Sequence, residues 1–214
     1  MDAAVFDAVT LERLRRLGVR PGTRCLAVGS GGVAEALGCV VVDGGEARPG
    51  GGFDLVLARL ALADRPARHG ALARLAQALR PGGLLLVEEV DGTWTPPVLA
   101  APEPSAEQFH GLFFAALAAS TAASGGDPAW AASVYGALHG LGLTGLGAAA
   151  HAEVWRGGGA GCAELRSLAA RRRDALTATG LVTGAELDGY ARLLADPAFA
   201  AASPLVIAVW GRRR

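Results

Sequence analysis

Arg59, Glu89, Asp91 and His110 are the side chains whose types and spacing can do chemistry in this 214-residue chain. Arg59 follows one apolar run, Phe53 to Ala58, and Glu89 and Asp91 follow another, Leu84 to Val87. In a parallel sheet the carboxyl ends of neighbouring strands form the mouth of the ligand crevice. A carboxyl placed there can act as acid or base. Arg59 can hold a substrate carboxylate or pair with Glu89 as a plain salt bridge, and pairing is the preferred reading. His110 is a general-base candidate, as are the isolated His139 and His151. Trp94, Phe109, Phe113, Phe114 and Tyr135 offer an apolar lining for a small-molecule substrate, although Phe109 and Phe113 at helical spacing also fit a core. Gly29, Gly31 and Gly32 stand between an apolar run and a helix start, where backbone can approach a nucleotide closely. Asp43, at the end of the next run, either binds a ribose or opens the turn at Gly44-Gly45.

Composition removes several other chemistries. The formal net charge is zero, so there is no basic excess for neutralising the phosphates of a nucleic acid. Lysine is absent, which excludes a Schiff-base mechanism and a classical P-loop. No GxSxG elbow marks a nucleophilic serine. Cys25, Cys39 and Cys162 lie far apart with no metal-ligand spacing and read as small buried hydrophobes of a reducing compartment. No apolar run reaches membrane-spanning length and no signal peptide is recognisable, so a cytoplasmic location is expected. Arg212 to Arg214 read as a solvated tail.

These residues need elements to position them. Thr10 to Leu17 has helical spacing and ends at Gly18. Arg24 to Val28, Cys39 to Val42, Phe53 to Ala58 and Leu84 to Val87 read as buried strands, with a short helix from Val33 and an amphipathic helix from His69 to Leu79. Strands alternating with helices predict a parallel sheet. Arg24 to Val28 should lie between Cys39 to Val42 on one side and Phe53 to Ala58 on the other. Thr95 to Pro104 reads as a connector. Long helices follow over Ser105 to Ser124, Asp127 to about His139, Cys162 to Thr177 and Ala185 to Leu194. Strands are expected within Leu143 to Trp155 and over Pro204 to Trp210. The glycines at 157, 158, 159 and 161 read as a flexible loop.

Three segments together resemble the class I S-adenosylmethionine (SAM) methyltransferases, in particular a group of bacterial small-molecule biosynthesis. They are LERLRRLGVRPGTRCLAVGSGG from Leu11, FDLVLARLALADRPARHGALARLAQALRPGGLLLVEEVD from Phe53, and DPAFAAASPLVIAVWGRRR from Asp196. The resemblance implies a Rossmann-like α/β fold with a shortened, mostly parallel sheet and a helical lid. Residues 1–94 would form the truncated core, and 95–214 the lid and the strands completing the sheet. It also implies that Gly29, Gly31, Gly32 and Asp43 line the cofactor site.

The chain departs from that family at the same site. Ala27 stands where members carry an acid two positions before the first loop glycine. The glycine loop is short, and only 24 residues separate Val28 from Phe53, room for one short helix and one strand. Losing the contact at Ala27 and one or two adenosine contacts, each worth about 1.5–3 kcal/mol, lowers SAM affinity by roughly two to four decades. The expectation is an enzyme without a working cofactor that shapes an apolar small molecule by cyclase- or pericyclase-type chemistry. The alternatives are a SAM-dependent methyltransferase and a non-catalytic partner of one. The second strand should form an open sheet edge, available for pairing as a homodimer.

Overall fold

The computed structural model describes residues 1–29, 32–43 and 51–214, with the backbone alone at Asp43. The chain divides into two compact units. One comprises Asp2–Glu89, Trp130–Ala150 and Ile207–Arg214, and the other Val90–Ala129 and His151–Val206, with Met1.

The first unit is built on a six-stranded sheet. A 3-10 turn, Ala3–Phe6, leads into α1 (Asp7–Arg16), β1 (Arg24–Val28), α2 (Val33–Ala36), β2 (Val40–Asp43), β3 (Phe53–Arg59), α3 (Arg68–Ala78) and β4 (Leu79–Val90). Later segments add α5 (Trp130–Gly140), β6 (Thr144–His151) and β9 (Val206–Arg212). The sheet order is β2-β1-β3-β4-β9-β6. β1 pairs in parallel with β2 and β3, and β3 in parallel with β4, so the expected neighbours flank β1. Strand alternation sorts the side chains onto two faces. Val56, Ala58, Leu85 and Val87 pack with Leu72 and Leu75 of α3 and Trp130 and Val134 of α5. Leu55, Leu57, Leu84 and Leu86 pack with Leu14 of α1 and Val33 of α2.

β4 begins at Leu79, where the expected helix ends, and takes in the Arg80-Pro81-Gly82-Gly83 segment ahead of the expected strand at Leu84. The pairing with β3 shifts register between Phe53 and Leu55 to admit it. Two of the three terminal arginines do more than form a solvated tail. Arg212 belongs to β9, and its guanidinium donates to the carbonyls of Gly82 at 3.0 Å and Leu17 at 3.2 Å. Arg213 donates to the carbonyls of Gln77 at 2.8 Å and of Leu79. Carbonyls at the C-terminal ends of α1 and α3 lack helical partners, and the arginines supply them.

The second unit carries α4 (Ser105–Ala123), α6 (Ala160–Arg171), α7 (Arg173–Thr177) and α8 (Gly184–Leu193). It also holds an antiparallel sheet in the order β5-β8-β7, made of Val98–Ala100, Ala200–Ala202 and Val154–Arg156. β5 lies inside the stretch expected to be a plain connector. The expected helix from Cys162 to Thr177 breaks at Arg172, which leaves helical geometry at φ −104°, ψ 11°. Thr183 and Glu186 close a reciprocal capping box at the start of α8. The glycine-rich stretch is packed backbone rather than loose loop. A Cβ at Gly157 would run into the carbonyl of Asp196, and one at Gly161 into the ring of Trp155.

Candidate functional site

The carboxyl ends of β1, β3 and β4 meet at Gly29, at the turn that leaves β3, and at Glu89. Register sets Arg59 beside Glu88 across β3 and β4. Both face α1, while Glu89, one residue on, faces the α3 side. Arg59 therefore pairs with Glu88, not with Glu89. Its Nε donates to Glu88 at 2.9 Å, one Nη to Asp7 at 2.7 Å and the other to the carbonyl of Ala3 at 2.9 Å. Glu88 also accepts from the Thr10 hydroxyl at 2.7 Å and from Arg13. Arg59 and Glu88 are both 1% exposed. Two arginines and two carboxylates thus close a charge-balanced cluster that pins the first helix to the sheet, with all three Arg59 nitrogens engaged inside it.

Glu89 is equally buried, and its setting differs. One of its oxygens accepts from the amides of Leu62 at 2.8 Å and Ala61 at 3.1 Å. Burial pushes its pKa up to about 7; the loop amides pull it down and the charge of Asp64 adds to the rise. A carboxyl that exchanges its proton near neutrality can act as acid or base.

Gly29 has φ of +70°, and a Cβ there would stand 2.5 Å from Cβ of Ala61 and 2.6 Å from the carbonyl oxygen of Arg59. Glycine is required by the turn and by the close approach. Gly32 caps the start of α2 at negative φ, with the Glu35 carboxylate 3.9 Å from where a Cβ would stand. Gly31 and the side chain of Asp43 lie outside the described residues.

Asp91, Trp94, His110, Phe109, Phe113 and Phe114 belong to the second unit, and Tyr135 to the first. Asp91 caps its own turn, accepting from the amide of Thr93 at 2.9 Å and its hydroxyl at 2.6 Å. Trp94 and Tyr135 are exposed. Phe109 is half-buried and sides a groove of about 450 Å³ with Gly189 and Arg192. Phe113 and Phe114 are core: Phe113 is fully buried, its ring 4.7 Å from that of Tyr190 and 5.2 Å from that of Phe114. His110 is buried among Phe114, Tyr190 and Phe199, its Nδ1 3.0 Å from the Tyr190 hydroxyl. Burial lowers its pKa to about 4, so it is a neutral imidazole within an aromatic core.

Sequence reasoning missed Glu88 and the turn from Leu60 to Leu62. Strand parity was the available signal for Glu88, because residues 55, 57 and 59 share one face. The turn carried no signal: Leu60 adopts φ of +48° without being glycine.

No family profile and no curated protein sequence matches the chain. Solved structures do. A candidate methyltransferase of Bacillus halodurans overlaps with a TM-score of 0.54 at 15% identity, covering 95% of this chain and 98% of that one. The YcgJ protein of Bacillus subtilis overlaps at 0.51 and 12% identity, covering 97% and 98%. The fold is that of the class I SAM-dependent methyltransferases. A Haemonchus contortus phosphoethanolamine N-methyltransferase 2 in complex with SAM overlaps more weakly, at 0.49 and 14% identity, over 97% of this chain and 53% of that one.

β2 is the outermost strand among the described residues, and α2 is a single turn. Ala27 pairs with Asp43 across β1 and β2, and its side chain carries no charge. Among the described residues, no three His, Cys, Asp or Glu side chains gather as metal ligands, and no helix is long and apolar enough to cross a membrane.

Proposed function

We propose that this chain is a methyltransferase-fold enzyme of small-molecule biosynthesis that acts on an apolar substrate without SAM-dependent methyl transfer. The reaction class is cyclisation or a pericyclic-type rearrangement, which needs orientation and a few polar groups rather than a reactive cofactor. The observation that carries this reading is the cut-back cofactor side: β2 outermost, a one-turn α2 and a methyl group at Ala27. Glu89 supplies the polar handle. Its buried carboxyl, held up to about 7, can give a proton to a substrate oxygen or take one from a carbon acid.

Titration calorimetry with SAM and S-adenosylhomocysteine tests the reading. The expected result is no saturable heat below the millimolar range. A dissociation constant in the micromolar range overturns it and returns the chain to methyl transfer.

A further inference from the structure

Glu89, the polar handle of the proposed chemistry, also forms a mechanical unit with the turn after β3. Leaving β3, the backbone enters a conformation unusual for its sequence. Among the described residues Leu60 alone has positive φ without being glycine, and such geometry persists only where surroundings enforce it. Three amides in a row are engaged: Leu60 donates to the carbonyl of Glu88 at 2.8 Å, and Ala61 and Leu62 donate to one oxygen of Glu89. The result is to press Ala61 and the carbonyl of Arg59 against Gly29 at the end of β1, filling the space that any side chain there would need.

We infer that Glu89 is a proton-operated latch that holds the Leu60–Leu62 turn closed against Gly29. An ionised carboxylate accepts an amide proton about twice as strongly as a neutral acceptor does. Where the turn opens while the Glu89 side chain stays buried, only the amide bonds are lost, so ionisation tightens the turn and protonation loosens it; complete unfolding, which hydrates the carboxyl, has the opposite sign. The neighbourhood sets the switching point. Arg59 and Glu88 face α1 across the sheet, so they do not neutralise Glu89. From the loop, the charge of Asp64 raises its proton affinity. On the same face α3 opens with Arg68 and His69, and α5 contributes Trp130, whose ring stands edge-on to His69 at 4.8 Å. Burial then brings the transition close to neutrality. The latch governs access to the ends of β1 and β3 whatever ligand binds there, so it stands or falls apart from the loss of methyl transfer.

Hydrogen exchange of the Ala61 and Leu62 amides in the full chain reads the latch directly. Corrected for the intrinsic pH dependence of exchange, protection should rise about tenfold between pH 5.5 and 8.5, as expected when each bond doubles in strength. Glu89→Gln keeps a carbonyl acceptor and should show no such rise. Asp64→Asn leaves Glu89 in place and should move the midpoint to lower pH. Flat protection in the unmodified protein overturns the latch, as does an equal rise in Glu89→Gln or an unmoved midpoint in Asp64→Asn.

Discussion

Arg59 donates from Nε to Glu88 across 2.9 Å, with both side chains out of water. Arg13 and Asp7 complete the cluster. Removing one member of a buried ion pair leaves a charge without its partner, at a cost of about 3–5 kcal/mol. Glu88→Gln should therefore lower stability by that amount, since it strands Arg59 and Arg13 together. Asp7→Asn, at a position one-third exposed, should lose far less. Chemical unfolding of both variants checks the order. Equal losses would show that the cluster is not anchored at Glu88.

Glu89 and His110 make opposite contributions to stability with pH. His110 binds its proton at about 6.5 when unfolded and about 4 when folded. Between those values the unfolded chain holds the extra proton, so stability rises with pH. Glu89 binds at about 4.5 unfolded and about 7 folded, so its contribution is complete below 4.5 and is lost as pH rises through 7. The two slopes cancel between roughly 4.5 and 6.5. Glu89→Gln should expose the His110 slope: relative to the unmodified protein, stability should climb by up to about 3 kcal/mol from pH 4.5 to 6.5. Urea midpoints at three pH values suffice to see it, and a difference independent of pH would contradict it.

Much of the fold was legible before any coordinates. The runs from Arg24, Cys39, Phe53 and Leu84 are apolar throughout because both sheet faces are covered, and their order around β1 follows from the resemblance. What stayed hidden depended on partners distant in sequence. β5 and β8 are three-residue strands that exist through each other. Gly157 and Gly161 look like loop until Asp196 and Trp155 arrive against them. At the candidate site, the position of Glu89 at a strand end was readable from the apolar run before it. The partner of Arg59 was misjudged because adjacency in the sequence outweighed strand parity.

Arg213 reaches back to the end of α3 and donates to the carbonyls of Gln77 and Leu79 there. A charge-assisted hydrogen bond of this kind contributes about 1.5–3 kcal/mol when shielded and less at an exposed position. Arg213→Ala should lower the melting temperature by a few degrees, whereas Arg214→Ala should leave it unchanged. Equal melting of the two variants would restore the picture of a free tail.

Phe113 separates core from lining. It is fully buried, with Tyr190 and Phe114 against its ring, so truncation opens a cavity inside the second unit. Phe113→Ala should cost about 3–5 kcal/mol, the range for large aromatic deletions in a packed interior. Phe109, four residues earlier on α4, is half-buried beside the open groove at Gly189. Because solvent already reaches that ring, Phe109→Ala leaves no sealed void and should cost less than half as much. Paired denaturation curves decide the matter. If Phe113→Ala unfolds no earlier than Phe109→Ala, its ring is not part of the core, and the aromatic cluster around His110 loses its structural reading with it.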